Sequence, residues 1–419
     1  MNKCISKILK KTKQGKIIYN KLLMKEKIKK YRKLIRTEPI NEKQIIFSAF
    51  QGRLYACSPK AIYEYMLTAP EFKDFTFIWA FNMPDSKRKF FSDGRTKLVK
   101  YNSEEFKKYL ASSKYWVFNF KTTEDFVKRE EQIFIQCWHG TPLKRLGCDI
   151  EIEGNKATKK DDIHQSYIDD AKKYNYFISP SKYCTEKFCS SFGLDKLNKE
   201  NIIIEKGYPR NEYLFRYTDE MQRKIKKELG IPENKKVIMY APTFRDNKYT
   251  PGVGHTYDLG INLLRLKDKL SSEYVILFRL HYLLAEVLDF SQFKNFVYDV
   301  SKYDDVNELY IISDLLITDY SSVFFDYANL KKPVLFYMYD LEEYQNNIRD
   351  FYIDICELPG PIVENEKELI NNIKNIEEIS KDYRKKYEEF RVKYNYLDGK
   401  DVTEKVVREF MHNDKKNSY

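Results

Sequence analysis

Short, strongly apolar segments alternate along this chain with segments whose apolar residues recur every three or four positions. The short segments are rich in β-branched and aromatic residues, and they predict β-strands. The recurring pattern predicts helices that bury one face. Strands that alternate with helices are typical of a parallel sheet covered on both sides, so the pattern predicts an α/β fold.

The predicted elements fall into two series. In the first series we expect strands at 44–49, 75–81, 115–119, 132–137 and 175–179, and helices at 58–68, 103–112, 161–173 and 181–191. After a charged helix at 218–229, the second series has strands at 236–241, 274–280, 296–300, 315–318 and 333–337, and helices at 259–270, 305–312, 323–330 and 366–375. Residues 376–413 show helical spacing without a strand pattern, so we expect terminal helices that pack on the outside.

Two doubly wound domains in series, with a boundary near 210–218, would place the carboxyl ends of both sheets around a shared cleft. Ligands bind at such ends in open α/β sheets. Neither series opens with a GxGxxG sequence, so we expect no dinucleotide cofactor. The chain also lacks GxxxxGK[ST], which argues against a P-loop nucleotidase.

Positive charge is concentrated at the N-terminus. Residues 1–36 hold 14 Lys and Arg against one acid, Glu26, which is a charge of +13, whereas the whole 419-residue chain carries +12. Between the lysines, apolar residues recur at near-helical spacing, and Gly15 could divide the helix in two. These apolar residues are Ile5, Ile8, Leu9, Ile17, Ile18, Leu22, Leu23, Ile28, Tyr31, Leu34 and Ile35.

Three interpretations of this arm compete. A basic helix with an apolar face can lie on an anionic membrane, with its lysines toward the lipid headgroups. A basic arm can also bind RNA, or it can remain a solvated tail. The body contains neither an RNP-like aromatic motif nor a KH-type GXXG sequence, which favours the membrane and leads us to expect no nucleic-acid partner.

Composition limits the remaining classes. Hydrophobic content of 42% and aromatic content of 16% fit a globular protein, and no apolar run approaches the roughly 20 residues that span a bilayer. The N-terminus lacks the apolar core and cleavage site of a secretory signal. The seven cysteines are scattered without a C-x-x-C pair, which argues against a disulfide framework or a structural zinc and indicates a reducing compartment.

Polar clusters lie where several predicted strands end. Each of them alone could be a surface turn, but together they predict a cleft that holds two histidines, several arginines and the start of a helix. The clusters are WHGTP at 138–142, with Lys144 and Arg145 close by, GYPRN at 207–211, APTFRD at 241–246, RLH at 279–281 and TDYSS at 318–322.

The last cluster is the most informative. A predicted strand runs into Thr318–Ser322, and a helical pattern begins at Val323. The free amides of a first helical turn and the helix dipole favour a bound phosphate. Ser321 or Ser322 could instead cap the helix, and the segment alone does not decide between the two.

The combined clusters suit a diphosphate ligand. Arg210 and Arg279 can bind phosphate oxygens through paired hydrogen bonds. His139 or His281 can accept the proton of an attacking hydroxyl, because imidazole titrates near neutrality. The chain has no acidic cluster like the carboxylate cage of a magnesium site, so we expect no metal and metal-independent chemistry.

Five motifs resemble, in order and spacing, those of the CDP-glycerol glycerophosphotransferase family, the teichoic acid polymerases and primases. They are QCWHGTPLKRLG, KGYPRNEYL, YAPTFRDN, LFRLHYLLAE and ITDYSSVFFDYANLKKPVLFYMYDLEEY. The resemblance covers roughly residues 130–365, and the run DVSKYDDVNELYIISDLLITDYSS is more similar to the polymerases. It implies a GT-B fold, in which two Rossmann-like domains face a central cleft.

The resemblance also implies an activity. A polyol phosphate would be transferred from CDP-glycerol or CDP-ribitol to a hydroxyl of a lipid-linked teichoic acid or capsule precursor, with release of CMP and without a cofactor. It implies peripheral attachment to the cytoplasmic face of the membrane, which agrees with an arm that binds an anionic membrane surface through residues 1–36.

Domain and residue roles follow from the same resemblance. The charge and the strand pattern divide the chain into a basic amphipathic membrane-associating arm at 1–38, domains at 39–215 and 216–375 and C-terminal helices at 376–419. The resemblance makes the first domain the acceptor side and the second the CDP-polyol donor domain. The catalytic residues would be His139, the better candidate for the general base, and His281, which would contact the donor phosphates. The donor site would contain Trp138, Gly140, Thr141, Pro142, Arg210, Pro242, Thr243, Arg279, Leu280, Ser321, Ser322 and Asp326.

Three alternatives stay open. Only about 130 residues precede WHGTP, fewer than in the polymerases, so the enzyme could be a primase that adds a single unit. A GT-B glycosyltransferase that uses a sugar nucleotide has the same architecture. A non-catalytic adaptor for RNA or membranes would act through the basic arm alone.

Overall fold

The structure is a computed structural model, and it describes residues 12–151, 159–243, 249–250, 254–255, 260–280, 290–342 and 351–417. Its main features are two parallel β-sheets, each with helices on both faces. We call the first sheet with its helices the first lobe, and the second sheet with its helices the second lobe.

Fifteen strands lie within the described ranges. The first sheet contains β1 Asn41–Ser48, β2 Thr76–Phe81, β3 Thr96–Lys100, β4 Ser113–Phe118, β5 Ile133–Gln136, β6 Tyr176–Ser179 and β7 Ile203–Glu205. A short hairpin of β9 Tyr249–Thr250 and β10 Gly254–His255 stands apart. The second sheet contains β8 Lys236–Ala241, β11 Tyr274–Phe278, β12 Val297–Asp299, β13 Leu315–Thr318, β14 Val334–Tyr337 and β15 Ile362–Val363.

Fifteen α-helices accompany these strands in the described part of the chain. They are α1 Lys13–Thr37, α2 Cys57–Thr68, α3 Pro84–Lys87, α4 Glu104–Ser112, α5 Lys160–Ala171, α6 Lys182–Ser191, α7 Tyr213–Arg216, α8 Asp219–Glu228, α9 Leu263–Leu270, α10 Val306–Ile312, α11 Val323–Tyr327, α12 Glu366–Lys374, α13 Ile376–Asp382, α14 Arg384–Tyr394 and α15 Val402–Asn417.

All ten predicted strands are present, most with ends shifted by one or two residues. Most of their side chains are buried on both faces, which is why most of their residues are apolar. Five strands were not predicted: β3, β7, β15 and the two strands of the hairpin. They are short, or they lie at a sheet edge where polar residues interrupt the apolar pattern.

The strand order places a topological switch point at the middle of each sheet. The first sheet runs β3-β2-β1-β4-β5-β6-β7, and the second runs β12-β11-β8-β13-β14-β15. The chain therefore leaves β1 in one direction and returns to β4 on its other side, and it does the same around β8 and β13. Ligands bind in the crevice at the carboxyl ends of such strand pairs.

The two lobes are joined by buried and half-buried ion pairs. Lys60 of α2 lies 2.7 Å from Asp305 and 3.4 Å from Glu308, which begin helix α10 of the second lobe. The backbone N–H of Tyr55 donates to the carboxylate of Asp304, at 3.0 Å. These contacts hold one side of the cleft closed.

The chain crosses between the lobes a second time near its C-terminus. Helix α14 packs on the second lobe, where Phe390 and Tyr394 join its core. Helix α15 then returns to the first lobe, where Val402, Val406 and Phe410 join the core around β1 and β2. The terminal helices therefore connect the two lobes.

Helix α1 is continuous from Lys13 onward, and Gly15 lies in its first turn, where the backbone N–H of Gly15 donates to the hydroxyl of Thr12. Its C-terminal half is anchored to the first lobe, since Tyr31 is buried and Leu34 packs on the same core. Its N-terminal half instead exposes three apolar side chains: Ile17 is 51% exposed, Ile18 50% and Leu22 44%. The predicted apolar positions before residue 12 lie outside the described residues.

Candidate active site

His139 lies just beyond the carboxyl end of β5, at the mouth of the cleft. Its Nδ1 is 2.7 Å from the main-chain oxygen of Asn119, which follows the neighbouring strand β4. A carbonyl oxygen only accepts, so Nδ1 carries the proton in the neutral ring. The lone pair is therefore on Nε2, the nitrogen that a general base would use.

The His139 ring is packed between two aromatic side chains. Its centroid lies 4.2 Å from that of Trp138 and 5.7 Å from that of Phe50. His139 keeps an exposed surface, but the protein atoms crowded around the ring disfavour its charged form and lower its pKa to about 4. The hydrogen bond to Asn119 opposes this shift and the charge of Arg210 adds to it, so the free imidazole is neutral near pH 7.

The residues on either side of His139 have unusual constraints. Trp138 has a φ of 44°, a left-handed backbone conformation that is rare for a bulky residue and that concentrates at functional sites. Gly140 faces the second lobe, because a Cβ atom at this position would lie 2.9 Å from the Oγ of Ser322. The histidine and serine motifs thus meet across the cleft.

Thr141 and Pro142 are directed toward the first lobe. The thiol of Cys184 donates to the hydroxyl of Thr141 at 3.5 Å, and the hydroxyl of Tyr183 donates to the main-chain oxygen of Pro142 at 2.7 Å. These contacts fix the backbone that presents His139 and Gly140 to the cleft.

The second lobe contributes the ends of β8 and β13. The carboxylate of Asp319 accepts from the backbone N–H of Thr243 at 2.8 Å, so it joins the loop that begins at Pro242 to the loop that carries the serines. Ser321 and Ser322 are half-buried, and no side-chain hydrogen bond caps helix α11 at Ser322. Ser322 thus occupies the N-cap position of this helix, as the capping interpretation places it, but its side chain makes no capping hydrogen bond.

Arg279 and Leu280 follow β11. The Arg279 guanidinium donates to the main-chain oxygen of Val300 at 2.7 Å, and burial lowers its pKa. The backbone N–H of Leu280 donates to the hydroxyl of Ser301 at 3.1 Å. His281, the second predicted catalytic residue, lies outside the described residues, as does Arg245 of the APTFRD cluster.

Arg210 and Asp326 bind each other. Nε and Nη2 of Arg210 donate to the two carboxylate oxygens of Asp326 at 3.0 and 2.9 Å, and both residues are buried. The guanidinium carbon also lies 3.7 Å from the ring centroid of Tyr208. The sequence predicted both as donor-binding residues, and the structure pairs them across the lobe junction.

A second carboxylate, that of the half-buried Asp398, completes this junction. It accepts from the backbone N–H of Tyr208 at 2.9 Å and from the side-chain amides of Asn211 at 2.7 Å and Asn329 at 2.9 Å. Asn211 also donates to Asp326, at 2.9 Å. Burial raises the pKa of Asp398 to about 6.

The structure thus brings Trp138, His139, Gly140 and Ser322 together at the cleft, whereas Arg210 and Asp326 lie at the lobe junction. Sequence reasoning missed Asn119 and Asp398. Asn119 could have been found by the rule used for the other clusters, because it is the first polar residue after β4, but the predicted strand 115–119 included it. No local pattern marks Asp398.

Two further findings concern the described residues only. They contain no group of three or more His, Cys, Asp or Glu side chains arranged to hold a metal ion. None of their helices has both the length and the apolar character required for a membrane span.

Comparison with known proteins identifies a family to which this sequence is similar. The family model described as "CDP-Glycerol:Poly(glycerophosphate) glycerophosphotransferase" matches residues 30–412. A teichoic acid poly(glycerol phosphate) polymerase of Bacillus subtilis (strain 168) is 40% identical over 408 residues, which are 96% of this chain and 52% of that protein. The chain thus spans about half the length of that relative, and about half of the corresponding polymerase of Staphylococcus epidermidis.

A shorter relative matches almost end to end. The teichoic acid poly(glycerol phosphate) polymerase of Bacillus spizizenii is 38% identical over 376 residues, 89% of this chain and 93% of that protein. Among solved structures, a histidine-to-asparagine variant of the wall teichoic acid polymerase TagF soaked with CDPG is 36% identical, with a TM-score of 0.85. The match covers 96% of this chain and 97% of that one, which supports a GT-B-like arrangement of the two sheets.

Proposed function

The chain belongs to the CDP-glycerol:poly(glycerophosphate) glycerophosphotransferase family, and on that premise we propose that it transfers glycerol phosphate from CDP-glycerol to a hydroxyl of a lipid-linked teichoic acid or capsule precursor, releasing CMP. The observation that carries the proposal is the approach of Gly140, the residue after His139, to Ser322 between the carboxyl ends of the two sheets. The poly(glycerol phosphate) named for both Bacillus relatives supports glycerol over ribitol as the polyol.

The proposed reaction is a phosphoryl transfer. The acceptor oxygen forms a bond to the phosphorus that carries glycerol, and the bond from that phosphorus to the bridging oxygen breaks. The electron pair of the broken bond leaves with CMP, and the hydroxyl proton passes to Nε2 of His139. Catalysis of such transfers rests mainly on positioning and on stabilisation of charge.

Binding of the donor would strengthen this base. In the free protein the pKa of His139 is lowered, which makes the imidazole neutral but a weak acceptor. A diphosphate beside the ring stabilises the imidazolium form and raises its pKa toward neutrality. The base would therefore be strongest when the donor is in place, as general base catalysis requires.

We assign the donor to the second lobe and the acceptor to the first. The loops after β8 and β13 lie at the switch point of the second sheet and present Pro242, Thr243, Ser321 and Ser322. His281, by its place after β11, would contact the donor phosphates. Arg279 donates to the main-chain oxygen of Val300, which supports a role for Arg279 in fixing the backbone that follows β11.

Release of CMP tests the proposed activity. The purified protein, incubated with radiolabelled CDP-glycerol and a lipid-linked glycerol phosphate acceptor, should release CMP and extend the acceptor. CDP-ribitol and a UDP-sugar serve as parallel donors. We expect turnover with CDP-glycerol to persist in EDTA and to be unchanged by added Mg²⁺. Faster turnover of CDP-ribitol or the UDP-sugar would contradict the assignment, and product length separates polymerase from primase.

We also propose that helix α1 attaches the protein to the cytoplasmic face of the membrane. Its exposed Ile17, Ile18 and Leu22 lie among lysines, while its other half is fixed to the first lobe. Insertion of exposed aliphatic side chains and attraction of lysines to anionic lipids both favour such binding.

Replacement of Ile17, Ile18 and Leu22 by serine should therefore weaken binding to phosphatidylglycerol vesicles by at least about tenfold, because each buried aliphatic side chain is worth roughly 1.5–3 kcal/mol. Vesicle sedimentation measures the loss, and CMP release with a soluble acceptor should not change. Deletion of residues 1–36 is a poorer test, since it removes the buried Tyr31.

The matched control replaces three exposed apolar residues elsewhere, Met83, Leu264 and Val392, by serine. It should leave vesicle binding at the wild-type level. Equal vesicle binding by the arm variant and the wild type would refute the membrane role, and preferential binding of RNA would point to the nucleic-acid alternative.

A further inference from the structure

Asn119 is the first residue after β4, and it is completely buried beside the switch point between β1 and β4. It contacts two loops that meet at the cleft. One loop follows β5 and carries His139, and the other follows β1 and carries Phe50. Nothing in the proposed reaction so far uses the side chain of Asn119.

The main chain of Asn119 determines which ring nitrogen of His139 carries the proton. Its oxygen accepts from Nδ1 at 2.7 Å, which leaves the lone pair on Nε2. A free imidazole exchanges its proton between the two nitrogens, so a base needs a hydrogen bond of this kind to keep one tautomer.

The side chain of Asn119 holds the other loop. Its Oδ1 accepts from the backbone N–H of Phe50 at 2.8 Å, an assignment that the donor requires, since only the oxygen of the amide can accept. Phe50, Gln51 and Gly52 have φ values of 49°, 57° and 80°, three consecutive residues in the left-handed region. Such a turn costs conformational energy and persists only when its surroundings fix it.

This turn places the Phe50 ring against His139. The two ring centroids are 5.7 Å apart, and Trp138 lies on the imidazole as well, at 4.2 Å. One residue therefore fixes the tautomer through its carbonyl and the orientation of the ring through the Phe50 turn. Displacement of a catalytic group by about 1 Å can cost on the order of 100-fold in rate.

We propose that Asn119 is the positioning residue of His139, and that its side chain acts through the Phe50 turn. The inference rests on the proposed function for the role of His139, but the contacts that support it do not depend on the substrate. In this proposal Asn119 does not contact the donor. Its carbonyl contact with His139 would be kept by any residue at position 119, whereas the contact with Phe50 requires the asparagine side chain.

Asn119→Ala removes the acceptor of the Phe50 N–H and should lower kcat about 10- to 100-fold, with the KM for CDP-glycerol within about threefold of wild type. Phe50→Gly removes the aromatic ring, and glycine adopts a positive φ without strain. This variant should therefore fold, and its kcat should also be lower than that of the wild type. The matched control is Gln51→Gly, which relaxes the same turn at an exposed position and should retain wild-type kcat.

A second readout does not require turnover. Proton and nitrogen-15 NMR of the imidazole, assigned by its disappearance in His139→Asn, should report a proton on Nδ1 in the wild type and in Asn119→Ala, because the main-chain oxygen at position 119 is retained. The ring-proton shifts of His139 should differ between the two proteins, because the Phe50 ring is no longer held beside the imidazole. Wild-type kcat in Asn119→Ala and Phe50→Gly, with unchanged His139 ring-proton shifts in Asn119→Ala, would overturn the inference. If the wild type releases no CMP, the proposed function fails, and the NMR result still decides the positioning role.

Discussion

His139→Asn should lower kcat for CMP release by about 10²–10⁴-fold, the usual contribution of a general base. The asparagine amide can still donate to the main-chain oxygen of Asn119, as Nδ1 does in the wild type. It offers no basic nitrogen in place of Nε2. The change therefore removes proton transfer while it preserves the local hydrogen bond, and circular dichroism should be unchanged.

His412→Asn is the matched control, because His412 is exposed on helix α15 and contributes nothing to the cleft. It should retain wild-type turnover. A loss of less than tenfold in His139→Asn would assign the base to another group, for which His281 is the remaining predicted candidate.

The pH dependence of the wild type follows from the same residue. Burial lowers the pKa of His139 below 6.5, so the neutral base is present at neutral pH and is lost as pH falls through that lowered value. The acid limb of kcat/KM, which reports the free protein, should therefore lie below pH 6.5. The acid limb of kcat should lie at higher pH, because the bound diphosphate raises the pKa, and His139→Asn should lose both limbs.

The fold could be predicted because its central strands are buried on both faces. Segments such as 77–81 and 115–118 are apolar throughout, and their alternation with helices indicates parallel sheets. Strand β3 escaped prediction because it lies at the sheet edge, where Lys97 and Lys100 interrupt the apolar pattern. Strand β15 is only two residues long.

The site could be predicted only in part. Gly140 and Ser322 follow strands of different sheets, and two α/β domains that face a shared cleft present the carboxyl ends of both sheets to it, so their meeting follows from the pattern. The partners of buried polar side chains have no such rule. Arg210 pairs with a carboxylate 116 positions away, and its sequence neighbourhood is equally consistent with a phosphate ligand. Only the packing of the two lobes distinguishes the two roles.

The Arg210–Asp326 pair therefore leads to the second large effect. Asp326→Asn leaves a buried guanidinium without its counter-charge, and removal of one partner from a buried ion pair costs about 3–5 kcal/mol of unfolding free energy. Both residues are buried at the crossing between the lobes, so we expect the change to loosen the lobe junction. Thermal unfolding, followed by a separate probe in each lobe, measures the loss of stability and shows whether the two lobes still unfold together.

A matched substitution and a double variant separate charge from packing. Glu404→Gln breaks the exposed pair with Arg408 on helix α15, which should cost at most about 1 kcal/mol. Arg210→Met combined with Asp326→Leu removes both charges from the junction and should recover much of the stability lost in Asp326→Asn, since the cost is that of an unpaired buried charge. If the double variant is stable yet releases CMP slowly, the pair positions the lobes for catalysis. Asp326→Asn could instead unfold at the wild-type temperature and change only the KM for CDP-glycerol, which would rise. That result would mean that the pair opens when the donor binds and that Arg210 contacts the phosphates, as its sequence motif indicated.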